Sequence, residues 1–514
     1  MLAFIMRRLG TLGVILFGSS FLLYNLAAIS GDPIGELRIS TDPGAEAAIA
    51  ELTRSLQLNV PPPLRYFIWL KGILGVFVGK FTLGETRTSE SVAVAVFEAI
   101  PTTLRLVTTA VIVAIVLGIA IGIITALRQY SRFDYSMTFV SFLLFSLPIF
   151  WVAVLLKQFM AIEFNNWLAE PSIAPRAMGV IGGVIGLIVA SAIGGGRKKF
   201  WKAFGITSVG TVITLTLLLQ INWFLQPALG PVGFFVASIG AALLVTQLSV
   251  GLGHKPSLKA ALSMSALGLI SYYPVNWLFE REYQPLIIFG LLILTVVSAI
   301  VASIYFSKVD RGPVIRTAVL TGILSGLLMI LDKLMRTWEP YFNTDAVNGR
   351  PVPTIGQSKA LLESTDYWIT LLDILMHLIL PTIALTAISF AGYIRFSRGT
   401  MLEVLNQDYI RTARAKGLNE RTVIMRHAFR NTMIPLTTIM VVDFAGILGG
   451  AIITERVFGW TGMGTLFNTA INSFDLNLLM GVFFLTGTLA LVANLVADLL
   501  YSVMDPRIRA GAGK

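Results

Sequence analysis

Leu106-Val-Thr-Thr-Ala-Val-Ile-Val-Ala-Ile-Val-Leu-Gly-Ile-Ala-Ile-Gly-Ile-Ile-Thr-Ala-Leu127 runs 22 residues without a charge, between Arg105 and Arg128. A helix rises about 1.5 Å per residue, so this stretch spans the roughly 30 Å hydrocarbon core of a bilayer. Inside that core a helix satisfies every backbone polar group by itself. Eleven further stretches pass the same ruler: 9–29, 136–156, 177–194, 203–225, 232–250, 260–279, 286–306, 317–332, 371–394, 434–455 and 478–503. The reading is an all-α polytopic membrane protein with about twelve transmembrane helices. The stretch 260–279 is the weakest of them, because Tyr272, Tyr273 and Pro274 interrupt it.

Composition agrees. Of 514 residues, 55% are hydrophobic and 13% charged, half the charged share of about 25% usual in soluble domains. The mean hydropathy is +0.78. A cytosolic enzyme and a disordered chain are both excluded, because no soluble packing hides that much apolar surface. There is no cysteine, hence no disulfide or thiolate chemistry, and His254, His377 and His427 lie too far apart in sequence to suggest a metal site.

The net charge of +11 has an address. With the N-terminus inside and the sides alternating, every inner segment is basic: Arg7 and Arg8; Arg128 and Arg132; Arg197, Lys198, Lys199 and Lys202; Lys255 and Lys259; Lys308, Arg311 and Arg316. Eight more basic residues lie between Arg395 and Arg430, and Arg507, Arg509 and Lys514 close the chain. This is the positive-inside pattern, giving N-in and C-in; it is not a nucleic-acid footprint. Met6-Arg7-Arg8 before an apolar run looks like a secretory signal, but Asn25 to Ser30 makes a poor cleavage site, so an uncleaved first span is expected.

No nucleotide-binding loop is present. The internal Gly79-Lys80 is followed by Phe81, with Leu74 where the first glycine should stand. If ATP drives this protein, another chain hydrolyses it. A docking surface for such a chain is the inner stretch 395–435. There the sequence predicts a helix over Gly399–Lys416, with Leu402, Leu405, Tyr409 and Ala413 on its apolar face. Gly417 ends it, Asn419 caps the next helix, and Glu420 sits in that helix's first turn. The result is a stiff knob, where a loop that merely set topology would need no ordered break.

Asp408-Tyr-Ile-Arg-Thr-Ala-Arg-Ala-Lys-Gly-Leu-Asn-Glu-Arg421 through Arg426-His-Ala-Phe-Arg-Asn-Thr-Met-Ile-Pro435 resembles the EAA loop of ABC importer permeases. More narrowly it is similar to the B-type permease of the dipeptide/oligopeptide/nickel branch. Met6-Arg-Arg-Leu9, Gly31-Asp-Pro33, Ile100-Pro-Thr-Thr-Leu-Arg105, Ser146-Leu-Pro-Ile-Phe-Trp151, His377-Leu-Ile-Leu-Pro381, Glu455-Arg-Val-Phe-Gly-Trp-Thr-Gly-Met-Gly464 and Asp498-Leu-Leu-Tyr501 with Asp505-Pro-Arg507 follow in the family's order. Together they cover about 1–160 and 371–510. The general Glu-Ala-Ala-x3-Gly pattern is kept only at Ala413 and Gly417, as in the peptide branch. Thr461 replaces the usual proline, which should loosen the outer loop.

The resemblance implies a membrane subunit with no catalytic role, in the cytoplasmic membrane of a prokaryote. It implies a second homologous permease, two ATP-binding subunits carrying ATP and magnesium, and an extracellular solute-binding protein meeting loops 30–100, 333–370 and 456–476. ATPase coupling falls to Thr412, Ala413, Gly417, Asn419, Glu420, Arg421 and Arg426. No cofactor or metal is implied on this chain. A self-contained twelve-span secondary transporter and a membrane scaffold are the competing readings. The first expects related halves, whereas the large basic loop occurs once.

Asp443 lies mid-span, where three roles are open to it: a place on the translocation path, a partner for a base on the second permease, or a buried protonated acid. Asp373 and His377 share a helix face and read as an outer-end structural pair. Asn494 with Asp498 reads as interhelical glue, and Gly446, Gly449 and Gly450 as close-packing positions. The expected organisation is 1–165 and 346–514 as the permease core of six spans, with 166–345 an inserted six-span region. That insertion reads as a peripheral scaffold or as a partner-binding module, and no polar constellation stands out within it.

Overall fold

The computed structural model describes residues 2–194, 196–308, 311–362 and 366–504; of these, 2–5, 442, 444–450 and 497–504 are described by their backbone alone. The expected packing of Gly446, Gly449, Gly450 and Asp498, and the motif Asp505-Pro-Arg507, therefore lie outside the described side chains. The principal helices are α1 Leu2–Ser30, α2 Pro62–Leu74, α3 Val92–Leu127, α4 Arg132–Ser146 and α5 Ile149–Leu156. Next come α6 Pro175–Ile193, α7 Arg197–Gln220, α8 Gly230–Ser249, α9 Lys255–Ile270, α10 Tyr272–Leu278, α11 Gln284–Phe306 and α12 Arg311–Phe342. The chain continues through α13 Tyr367–Leu405, α14 Asp408–Ala415, α15 Phe429–Gly450, α16 Ile452–Phe458, α17 Met463–Asn472 and α18 Leu476–Met504.

The protein is an all-α polytopic membrane protein. Among the described residues nine helices are long and apolar enough to cross a bilayer, or ten if a bent pair counts as one span. That pair covers the expected span 136–156, which is bent by 102° between α4 and the helical stretch that begins at Ile149. Pro148 lacks a donor and holds Leu147 in extended conformation (ψ 129°), so the helix cannot run through. The stretch 260–279 is likewise two helices, broken at Ser271.

The chain divides into two compact units. The first comprises Met1–Ile162, Pro353–Gln357 and His377–Lys514, the second Glu163–Val352 and Ser358–Met376. In the first, α3 is central and buries Leu106, Val107, Ala110, Val111 and Ala114. Its Gly118 and Gly122 admit α13 closely: a Cβ on Gly122 would lie 1.8 Å from Ser397 Oγ. The segment 30–100 is not a plain polar loop. Tyr66, Trp69 and Ile73 of α2 pack with Tyr24 of α1, and Tyr66 shares a hydrogen bond of 2.8 Å with Ser20.

The second unit contains the hairpin α6–α7 and a bundle of α8, α9, α11 and α12. It also contains a polar node absent from the sequence reading. Asp332, fully buried, accepts from the Tyr272 hydroxyl at 2.6 Å and from the amides of Leu229 and Gly230 at 2.8 and 3.0 Å. Arg336 pairs with it at 2.9 Å and also donates to Asn276. Elsewhere in the same unit, Asp373 accepts from the Tyr341 hydroxyl (3.0 Å) and the Lys359 amide (2.9 Å).

Candidate functional site

The segment 395–435 folds as a short scaffold built on the end of α13. The expected helix over Gly399–Lys416 is interrupted: α13 stops at Leu405, and the amides of Asn406 and Gln407 close a turn on Glu403 and Val404. Gln407 turns extended (ψ 149°), and α14 starts afresh with Asp408 in its first turn, complementing the helix dipole. The break shifts the register, so Tyr409 is exposed and Ile410 takes the inward place. Ile410 and Ala413 bury themselves against Met401, Val404, Val423, Ala428 and, from α3, Ala126. Ala413 thus belongs to the packed base of the knob.

Gly417 is the corner. Its amide bonds the Arg414 carbonyl (2.9 Å) and the Leu418 amide reaches the Ala413 carbonyl (3.4 Å), the paired bonds of a Schellman ending. Gly417 takes φ +77°, yet a Cβ there would meet nothing within 4 Å. The requirement is conformational, with no neighbour crowding it. Asn419 Oδ1 then accepts the Thr422 amide at 3.0 Å, capping the short turn Glu420–Thr422. Across the corner Arg414 grips Glu420 with two bonds, Nε to Oε2 at 3.1 Å and Nη2 to Oε1 at 2.7 Å. That guanidinium holds the Glu420 carboxyl below its ordinary range. A π-helical turn, Val423–Ala428, leads into α15.

Of the residues expected to couple, Thr412, Gly417, Asn419, Glu420 and Arg426 are exposed on one continuous stretch of knob, Arg421 is half-buried, and Ala413 is buried. Thr412 Oγ1 is turned back to the Asp408 carbonyl (2.9 Å). Sequence reasoning missed two anchors. Arg414 was counted only as a charge. Asp134 was not singled out; buried, it receives Arg398 by Nε at 2.8 Å and Nη2 at 3.0 Å, and the Tyr130 amide at 3.0 Å. Its signal was the Ser131-x-x-Asp134 pattern that caps α4, where Ser131 Oγ accepts the Asp134 amide.

At the opposite end of the first unit two distant motifs meet. Glu455, fully buried, accepts from Thr103 Oγ1 at 2.7 Å and from the Thr465 amide at 2.9 Å, while Thr103 Oγ1 accepts the Met463 amide at 2.8 Å. Gly462 permits this approach, since a Cβ there would lie 2.4 Å from both Glu455 and Thr103 oxygens. Lys157 donates to the Val457 carbonyl at 2.9 Å, at the C-terminal end of α16. Thr461, at the position expected to loosen the loop, accepts at its hydroxyl from Gln357 at 3.2 Å, and Gln357 in turn accepts from Thr102 at 3.0 Å. Asp443 on α15 is half-buried beside the Tyr393 hydroxyl.

Residues 264–510 match the family described as "Binding-protein-dependent transport system inner membrane component". Over that stretch the chain is similar to such inner-membrane transport components. Among curated proteins the chain is 42% identical over 182 residues to the oligopeptide transport system permease protein OppB of Mycobacterium tuberculosis, covering 35% of this chain and 54% of that one. It is 40% identical over 147 residues to the oligopeptide transport system permease protein AppB of Bacillus subtilis (29% and 46%). With the dipeptide transport system permease protein DppB of Escherichia coli it shares 45% identity over 138 residues (27% and 41%). The chain spans about half the length of the curated relatives it matches. The family match starts at residue 264, within the stretch 166–345 expected to be an insertion.

Proposed function

We propose that this chain is the membrane-spanning, non-catalytic permease subunit of an ATP-driven importer, forming the path for di- or oligopeptides or related small solutes. A second homologous permease completes the path. Two ATP-binding subunits, with ATP and magnesium, supply the energy, and an extracellular solute-binding protein supplies the cargo. The observation that carries this reading is the knob 408–428. It has a buried apolar base, a glycine corner and a charge clamp, so it is a rigid lever with an exposed tip, the form required of a surface that transmits motion. The relatives' names support peptides as cargo.

In this reading Thr412, Gly417, Asn419, Glu420, Arg421 and Arg426 form or hold the surface that an ATPase subunit receives, with Ala413 beneath it. Asp443 belongs to the path. The core is 1–165 with 346–514, and 166–345 is an inserted membrane module, a view supported by the second unit's own core and polar node. Topology is N-in and C-in. Purification of the chain from its native membrane tests the proposal: ATPase subunits should co-purify, and peptide with binding protein should stimulate their hydrolysis. Recovery of an active peptide transporter without any ATPase would overturn it.

A further inference from the structure

Residues 171–279 contain no Asp or Glu at all, yet hold seven Lys and Arg. Four of the seven fall within six positions, Arg197, Lys198, Lys199 and Lys202, at the start of α7. All four are exposed, and none takes part in an ion pair among the described residues. At 3.6 residues per turn Arg197, Trp201, Lys198 and Lys202 lie within an arc of about 140°. Trp201 on that arc is 55% exposed, whereas Phe200, behind it, is buried. An indole flanked by cations at the end of an apolar helix sits naturally at headgroup level.

The surroundings narrow the ligand. Helices α6 and α7 pack chiefly on each other, with Gly182 and Gly186 letting Ser208 and Phe204 approach. Their outer sides, including Val184, Ile188, Ile206, Val209 and Ile213, are apolar and exposed, a surface suited to acyl chains. The N-cap Gly196 offers no side chain to the first-turn amides of α7, leaving those donors open to an anion. A group that satisfies the whole surface needs a negative phosphate at the patch and hydrocarbon below it.

We propose that the Arg197–Lys202 patch is a binding site for an anionic phospholipid, its phosphodiester held by these cations beside Trp201 and its acyl chains on the α6–α7 hairpin. The site does not depend on the transport reading. It gives the hairpin a role as a lipid-anchored flank.

The test is binding of short-chain phosphatidylglycerol to the purified chain in mild detergent, followed by quenching of tryptophan emission with a brominated-chain analogue. Phosphatidylcholine and inorganic phosphate serve as comparison probes. The combined variant R197Q/K198Q/K199Q/K202Q should lose phosphatidylglycerol affinity by about tenfold or more, as expected for four basic residues near a headgroup. Phosphatidylcholine binding should not change, and R197K should retain the wild-type affinity. The pair K255Q/K259Q removes charge from a different helix and should shift affinity by less than about twofold, since solvent-exposed charges outside the site are screened by salt. Equal loss in both variants would mean diffuse charge and would overturn the site. So would an unchanged affinity in the fourfold variant, or displacement of the lipid by inorganic phosphate at equal concentration.

Discussion

The knob 408–428 and the second unit both use a carboxylate gripped by an arginine, to opposite ends. Glu420 and Arg414 are about half exposed, at 56% and 43% of their side-chain surface. Asp332 is fully buried and has four other groups committed to it. The exposed pair contributes little energy and sets an angle. The buried acid fixes a bundle and cannot be removed without orphaning its donors. An ion pair in this protein therefore reports a function only when its depth is known.

The largest effect should follow from breaking the buried side of the comparison. Asp332→Ala leaves Arg336, the Tyr272 hydroxyl and two amides without their acceptor, a loss of roughly 3–5 kcal/mol for a broken buried pair. Limited proteolysis within 163–352 should accelerate sharply. Protection equal to the parent protein would show that the node is dispensable. Next, Asp134→Asn weakens the double grip on Arg398 beneath the knob, worth about 1.5–3 kcal/mol for hydrogen bonds to a charged group. Uptake per ATP hydrolysed should fall, and an unchanged ratio would remove Asp134 from the lever.

At Gly417 the cost is conformational, about 1–2 kcal/mol for an L-residue held in the left-handed region. Because the space around it is open, Gly417→Val should fold and still allow hydrolysis while uptake drops; normal uptake would count against a rigid corner. Glu420→Gln should be the mildest, between 0 and 1 kcal/mol as for exposed pairs. Arg414 lowers the Glu420 pKa, so the clamp's contribution is complete above the ordinary carboxylate range and is lost as pH falls through the depressed value. Coupling should be flat around neutrality and decline only in acid, a decline that Glu420→Gln should abolish.

Much of this was legible in the sequence. Periodicity and charge located the helices, and Gly417 and Asn419 announced the corner and its cap from local chemistry alone. Pro148 was in plain view, yet a hydropathy window averages across it, so the bend went unseen. The register slip at Asn406–Gln407 escaped because Leu402, Leu405 and Tyr409 fit one helix equally well on paper; burial of Ile410 decides otherwise. Long-range pairs such as Thr103 with Glu455, and Asp134 with Arg398, join residues hundreds of positions apart. No local pattern carries that information. Asp332 was hidden for another reason: a lone acid at the end of an apolar run looks like an interfacial residue until its neighbours are known.

The absence of cysteine allows one direct measurement of the central claim. Arg426→Cys on the knob and Lys259→Cys in the second unit both place a single thiol at an exposed position on the inner side of the proposed topology. Treated in membranes with a thiol-to-amine cross-linker of short span, Arg426→Cys should join an ATP-binding subunit and Lys259→Cys should not. Cross-linking to an ATPase from Lys259→Cys alone, or from neither, would contradict the knob as the coupling surface.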